Sequence, residues 1–153
     1  MRVYLDHNAT APLRVEARDA MIAAMDVVGN PSSVHGEGRA AKAIVERARA
    51  QVAAAVGCNR AEVVFTSGAT EAASMLGLLS AGADVLVDEM SHDALWAHVR
   101  MSGLGEKPTR GHTLAMGLAN GETGLITPAP QKVDGQWSFG ETRADWLMLD
   151  VTQ

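Results

Sequence analysis

The sequence predicts an α/β fold, a mainly parallel sheet flanked by helices. Short strand-like runs at 62–65, 84–87, 113–119 and 146–149 alternate with stretches of helix formers, an order that lays crossover helices on a parallel sheet. Aromatic residues are only 4 % of the chain while alanine is abundant, and small side chains let helices approach a sheet closely. A length of 153 residues suits one ordinary domain with a real hydrophobic core.

The first helix is expected to follow Pro12 and run toward Met25, with Val15, Ala20, Met21 and Met25 on an apolar stripe. Gly29-Asn30-Pro31-Ser32-Ser33 then breaks it, because glycine and an Asn-Pro pair favour turns. A second helix is predicted over 38–56, where Ile44, Ala48, Val52 and Ala55 share one face. Glu46 and Arg49 stand three apart on its polar side, spaced for an ion pair. Gly57 ends this helix, and Cys58 just after it reads as a small packing residue.

Next comes a strand, Glu62-Val63-Val64-Phe65, then the small-residue corner Thr66-Ser67-Gly68-Ala69-Thr70, then a helix from Glu71. Asp84–Val87 is a further strand, and Ser91-His92-Asp93 opens a short helix containing Ala94, Leu95 and Val99. Residues 128–145 fit poorly: a helical crossover is expected there, yet Pro130, Gly135 and Gly140 leave little room for one. The chain stops at Gln153 directly after a strand, which suggests a missing continuation.

Composition excludes several function classes. A net charge of −5 supplies no basic field for nucleic acid. No apolar run reaches the roughly 18 residues of a membrane helix, and the amino terminus turns polar too early for a secretory signal. The expectation is a soluble cytoplasmic protein. A single cysteine rules out a disulfide framework and a multi-cysteine metal site. His92 and His98 are six apart, which is not the helical spacing of a zinc pair. Thr66-Ser67-Gly68 lacks the G-x-S-x-G elbow of a serine hydrolase.

The corner at 66–70 is the most informative local feature. A helix start after a strand presents unpaired N–H groups and a positive dipole end, so an anion such as a phosphate fits there. Gly68 and Ala69 let the anion reach the backbone, and Thr70 adds a hydroxyl. A plain Ser/Thr helix cap satisfies the same N–H groups and stays open as the alternative.

Four segments together carry a resemblance. Tyr4-Leu5-Asp6-His7-Asn8-Ala9-Thr10-Ala11-Pro12, Gly29-Asn30-Pro31-Ser32-Ser33-Val34-His35-Gly36-Glu37-Gly38-Arg39, Glu62-Val63-Val64-Phe65-Thr66-Ser67-Gly68-Ala69-Thr70-Glu71-Ala72 and Ala119-Asn120-Gly121-Glu122-Thr123-Gly124 resemble, in order, the signatures of cysteine desulfurases within the class V aminotransferases. The likeness is dense from residue 3 to about 80 and patchier afterwards. It implies the truncated large domain of a fold-type I enzyme that uses pyridoxal 5′-phosphate. Members take sulfur from L-cysteine, leaving alanine and an enzyme persulfide, a sulfur source for iron–sulfur cluster assembly.

On that resemblance, Ala69 and Thr70 would hold the cofactor phosphate and His92 would stack on the pyridine ring and relay a proton. Asp150 would pair with the ring nitrogen and Gln153 with the phenolic oxygen, while Asn120 and Gly121 would border the cofactor. A carboxylate beside the ring nitrogen keeps it protonated, the state in which the ring draws electrons. Read without the resemblance, His92 is a helix cap or surface histidine and Asp150 a solvated strand end. His7 and His35 would border the site or serve loop hydrogen bonds. The implied organisation is one truncated domain over 1–153, with an arm and helix at 1–30 and a partial cofactor domain at 31–153.

The departures are as specific as the matches. Members attach the cofactor to a lysine in a Ser-His-Lys setting beyond the Asp/Gln strand, and carry the nucleophilic cysteine further on. This sequence has only Lys42, Lys107 and Lys132, none in that setting. Gly121 replaces a second asparagine, and the 92–120 segment is short by about a helix and a strand. The expectation is therefore a desulfurase-like chain that is inactive alone and associates with itself or a complementing chain. The alternatives are a non-catalytic relative that binds the cofactor phosphate or a partner, a selenocysteine lyase or other class V enzyme, and a generic phosphate-binding module.

Overall fold

The computed structural model describes residues 3–7, 9–79, 84–98 and 111–152. Val99, Lys107 and Gln153, all named above, lie outside the described residues. The chain forms two compact units, Met1–Phe65 and Thr66–Gln153.

The first unit holds helices α1 (Val15–Met25) and α2 (Gly36–Val56). None of the residues of α1 is buried; the expected stripe is solvent-facing, with Val15, Met21 and Met25 all more than half exposed. In α2 the buried positions are Gly38, Ala41 and Ala53. The predicted face is therefore corrected: Ile44 and Ala48 are half-buried, but Val52 and Ala55 are exposed. The small residues decide this because close backbone approach, not side-chain bulk, makes the contact. A Cβ on Gly38 would lie 2.5 Å from the Ser33 carbonyl oxygen and 2.8 Å from that of Asn30. The Gly29–Ser33 turn is thus packed directly on the first turn of α2.

Helix α2 ends at Gly57, with the Cys58 N–H returning to the Ala53 carbonyl at 3.0 Å. That turn carries Cys58 out into solvent, so it is not the packing residue expected. The Glu46–Arg49 ion pair forms at 3.3 Å. Residues 62–65 do not form the expected strand. A 3₁₀ turn at Arg60–Glu62 is closed by the Asn59 N–H on Glu62 Oε2 at 2.6 Å. The chain then runs on with no ladder partner among the described residues. Arg49 explains the alternative, since its guanidinium donates to the Val63 carbonyl and lies 5.1 Å from the centre of the Phe65 ring.

The second unit contains α3 (Ala69–Leu79), β1 (Asp84–Val87), α4 (Asp93–Trp96), β2 (His112–Gly117), β3 (Gln131–Val133), β4 (Gln136–Phe139), β5 (Thr142–Ala144) and β6 (Trp146–Asp150). Strands β1, β2 and β6 make a parallel sheet with β2 in the centre, as the alternation predicts. Because β2 is covered on both faces, its interior residues Thr113 to Met116 are all buried. On one face Ala115 joins Ala73, Leu76, Val85 and Leu95. On the other, Leu114 and Met116 pack with Ala144, Phe139 and Leu147.

That second face corrects the expectation for 128–145. The β2–β6 connection is not helical but an antiparallel meander, β3–β4–β5. Asp134 and Gly135 both take positive φ, 50° and 85°, the backbone that a two-residue hairpin turn requires. Lys132 lies across from Trp137, its ammonium 5.8 Å from the ring centre. Among the described residues no helix is long and apolar enough to cross a membrane.

At the amino end of the sheet, Asp145 latches the meander to β2. Its carboxylate accepts the His112 N–H at 3.1 Å and the Gln136 side-chain amide at 3.0 Å. The Gln136 bond first, and the His112 backbone bond next, hold its carboxyl below the ordinary 3.8. Gly111, at φ +76°, makes room: a Cβ there would come 2.0 Å from the Asp145 carboxylate.

Two outcomes are expected. Gly38→Ala forces backbone apart and should lower stability by about 1–3 kcal/mol, measured by urea denaturation; an unchanged midpoint would contradict the close packing. For Asp145 the native carboxyl is the stronger acid, so its stabilisation is present above pH 3.8 and lost as pH falls through the native value. Asp145→Asn should therefore be less stable than the parent near neutrality, with the gap closing below about pH 3.8. Denaturation midpoints measured across that range provide the check.

Candidate functional site

The three parallel strands deliver their carboxyl ends to one edge, where Gly117 pairs with Asp150 and the Asp88 N–H extends the ladder onto the Ala115 carbonyl at 3.1 Å. Such an edge is where open α/β sheets place ligands. Helix α3 precedes β1 in the chain and packs on the sheet through Ala73 and Leu76, in one cluster with Leu95 of α4.

The amino end of α3 is the small-residue corner, and it is open. A Cβ on Gly68 would meet nothing within 4 Å, and Ala69 and Thr70 are both exposed. The helix proper starts with the Ala72 N–H on the Gly68 carbonyl at 3.0 Å. The N–H groups of Ala69 and Thr70 have no acceptor among the described residues. Thr66 spends its hydroxyl on the Gly68 carbonyl at 3.0 Å. Glu71 turns back so that its carboxylate accepts the Ser67 N–H at 2.5 Å, and the Ser67 hydroxyl and N–H hold its carboxyl below the usual value. Glu71 had no expected role; its position four residues after Ser67 is the signal that identifies it.

His92 lies just beyond β1 as the N-cap of α4, its Nδ1 accepting the Ala94 N–H at 3.1 Å. That bond makes Nδ1 the acceptor and leaves the proton on Nε2 when the ring is neutral. The ring itself is exposed. Asp150 ends β6 half-buried, with Oδ1 accepting both the N–H and the hydroxyl of Thr152, at 3.0 Å and 2.5 Å. Asn120 stands three residues past β2. Its Nδ2 donates to the Met90 carbonyl at 3.0 Å, and its Oδ1 accepts the N–H groups of Glu122 and Thr123 at 3.0 and 2.8 Å.

In the second unit His92 therefore follows β1, Asn120 and Gly121 follow β2 and Asp150 ends β6, all beyond the carboxyl ends of one parallel sheet, while Thr70 lies in the first turn of α3. His7 and His35 belong to the first unit. His7 meets the Tyr4 ring edge-on at 5.5 Å, and His35 caps α2 by accepting the Gly38 N–H at 3.3 Å. Nothing in the sequence singled out Ser91, which is buried and whose hydroxyl accepts the Gly117 N–H at 3.2 Å.

Comparison with known proteins places these features in a family context. The profile described as aminotransferase class-V matches residues 3–105. A cysteine desulfurase IscS of Dictyoglomus turgidum is 38 % identical over 100 residues, covering 61 % of this chain and 25 % of that protein. A selenocysteine lyase of Bos taurus is 45 % identical over 76 residues, covering 49 % and 17 %. The structure is similar to that of a NifS-like protein from Rickettsia africae, with a TM-score of 0.68 and 26 % identity over 81 % of this chain and 41 % of that one. The chain spans about a quarter of the length of the desulfurase it matches.

Proposed function

Because this chain belongs to the class V aminotransferases, whose members depend on pyridoxal 5′-phosphate, we propose that it is the cofactor-seating part of a cysteine desulfurase-like protein acting on L-cysteine. The observation that carries this reading is the carboxyl edge of the sheet, where a ring-bearing cap follows β1 and a carboxylate ends β6, together with the open start of α3, which packs on the same sheet. The residues present fit the group. The space at Gly68 and the unengaged N–H groups of Ala69 and Thr70 suit a phosphate, and the exposed face of His92 suits a flat heteroaromatic ring.

When bound, the cofactor supplies an electron sink that weakens the bonds at the α-carbon of an amino acid. The chain's own part is binding, orientation and proton placement. Ala69 and Thr70 would hold the phosphate through N–H groups and a hydroxyl, aided by the positive end of α3. The His92 imidazole would face the ring, with Nδ1 pinned by Ala94 and Nε2 left to hold or pass a proton. The carboxylate of Asp150, fixed by Thr152, would hold a proton on the ring nitrogen. Gln153 would follow at the phenolic oxygen.

The lysines support reversible binding by these 153 residues. Lys42 is exposed on α2 in the first unit, and Lys132 is committed to Trp137 on the meander. By the resemblance, sulfur release from L-cysteine would require an attachment lysine in a Ser-His-Lys setting, which none of Lys42, Lys107 and Lys132 has in this sequence. Selenocysteine lyase chemistry is the second reading, supported by the 45 % identity to the bovine enzyme over 76 residues.

Titration of the chain with pyridoxal 5′-phosphate, followed by tryptophan quenching, should show saturable and reversible binding. Thr70→Val and Asp150→Asn should each weaken it about tenfold or more, the scale of a lost bond to a charged group. Borohydride treatment should leave Lys42 and Lys132 unmodified. Affinity indifferent to both substitutions, or a reduced adduct on either lysine, would contradict the assignment.

A further inference from the structure

The resemblance makes Asn120 a neighbour of the cofactor, but the bonds of its side chain point elsewhere. The orientation of the amide is fixed by its surroundings: one end faces the Met90 carbonyl and the other faces three donors, the Glu122 and Thr123 N–H groups and the Thr123 hydroxyl at 3.0 Å. Oδ1 caps the turn that follows β2, and Nδ2 reaches across to the loop between β1 and α4. We propose that Asn120 is the positioning residue for His92, holding it through the Met90 carbonyl. The functional half of this inference rests on the reading of His92 as the ring-facing residue.

Two bonds cross from the end of β2 to the residues just before His92. Asn120 holds Met90, and the Gly117 N–H donates to the buried Ser91 hydroxyl at 3.2 Å. The loop is further braced by Asp88, which accepts the Met90 N–H on its side chain at 3.2 Å and the Ser91 N–H on its carbonyl at 3.0 Å. With Met90 and Ser91 pinned, His92 has little freedom left, and its Nδ1 can cap Ala94 while its ring faces outward. Without the Asn120 donor, a carbonyl in a half-buried loop loses its partner, and only the Asp88 and Ser91 bonds to β2 remain among those described.

Asn120→Asp separates the two jobs of the side chain, since a carboxylate still accepts the turn N–H groups but cannot donate to Met90. Amide hydrogen exchange on the cofactor-free chain should show Gly117 and Ala94 exchanging about tenfold faster in Asn120→Asp, with Ala73 and Leu76 in α3 unchanged. Unchanged exchange at Gly117 and Ala94 would overturn the clasp, and acceleration throughout α3 would show general loosening and overturn it as well.

A double-mutant cycle on pyridoxal 5′-phosphate affinity tests the link to His92. Asn120→Asp and Asn120→Ala should each weaken binding about fivefold when His92 is present and less than about twofold in His92→Ala. Equal losses in both backgrounds would mark Asn120 as a direct ligand and overturn the positioning role. If His92→Ala leaves affinity unchanged, or the parent chain does not bind, the cofactor reading fails and the positioning role toward that ring fails with it. The exchange result then still decides whether the clasp exists.

Discussion

Strand β2 is the constraint on which the second unit is built. It is the only strand of the parallel sheet, among those described, with neighbours on both sides, and its two faces carry the two hydrophobic clusters. Period-two alternation sends Ala115 toward α3 and α4 and sends Leu114 and Met116 toward the meander. A one-residue slip would exchange these sets and bury the wrong volumes on both sides. The register therefore also determines which residues arrive together at the carboxyl edge: Gly117 beside Asp150, and the Ala115 carbonyl under Asp88.

The site residues are held there by ordinary local chemistry. His92 is a cap, Asp150 a strand end satisfied by Thr152, and Glu71 a carboxylate folded back on Ser67. For His92 and Asp150 the structural role coexists with the proposed one, because the bonds described engage one polar atom of each side chain. In His92 the cap takes Nδ1 and leaves Nε2; in Asp150 the Thr152 bonds converge on Oδ1. A structural bond of this kind fixes the orientation of the group, which is what a bound ring would need from it.

Much of this arrangement is legible in the sequence. Short apolar runs mark β1, β2 and β6, and Gly57 marks the end of α2, because local pattern and burial agree at those places. The small-residue corner is readable for the same reason, since only Gly and Ala leave a helix start open. Residues 62–65 have strand composition, but a strand needs a neighbour, and a long-range contact from Arg49 that no local pattern announces takes the Val63 carbonyl. The Asp134-Gly135 pair carries a hairpin signal, and it is the expectation of a helical crossover that hides it. The Asn120–Met90 bond spans thirty residues and could not be inferred from either segment.

The replacement of a crossover helix by β3–β4–β5 has a kinetic side. Parallel pairing of β2 with β6 must bring together Gly117 and Asp150, far apart in sequence, and closing so long a stretch of chain is entropically unfavourable. A meander is made of neighbours, and its turn at Asp134 and Gly135 can form without any help from the sheet. Once formed it draws Pro130 and Ala144 toward each other and shortens the span of loose chain that β6 must close. The hairpins would thus act as a local nucleus that speeds the search for the non-local register.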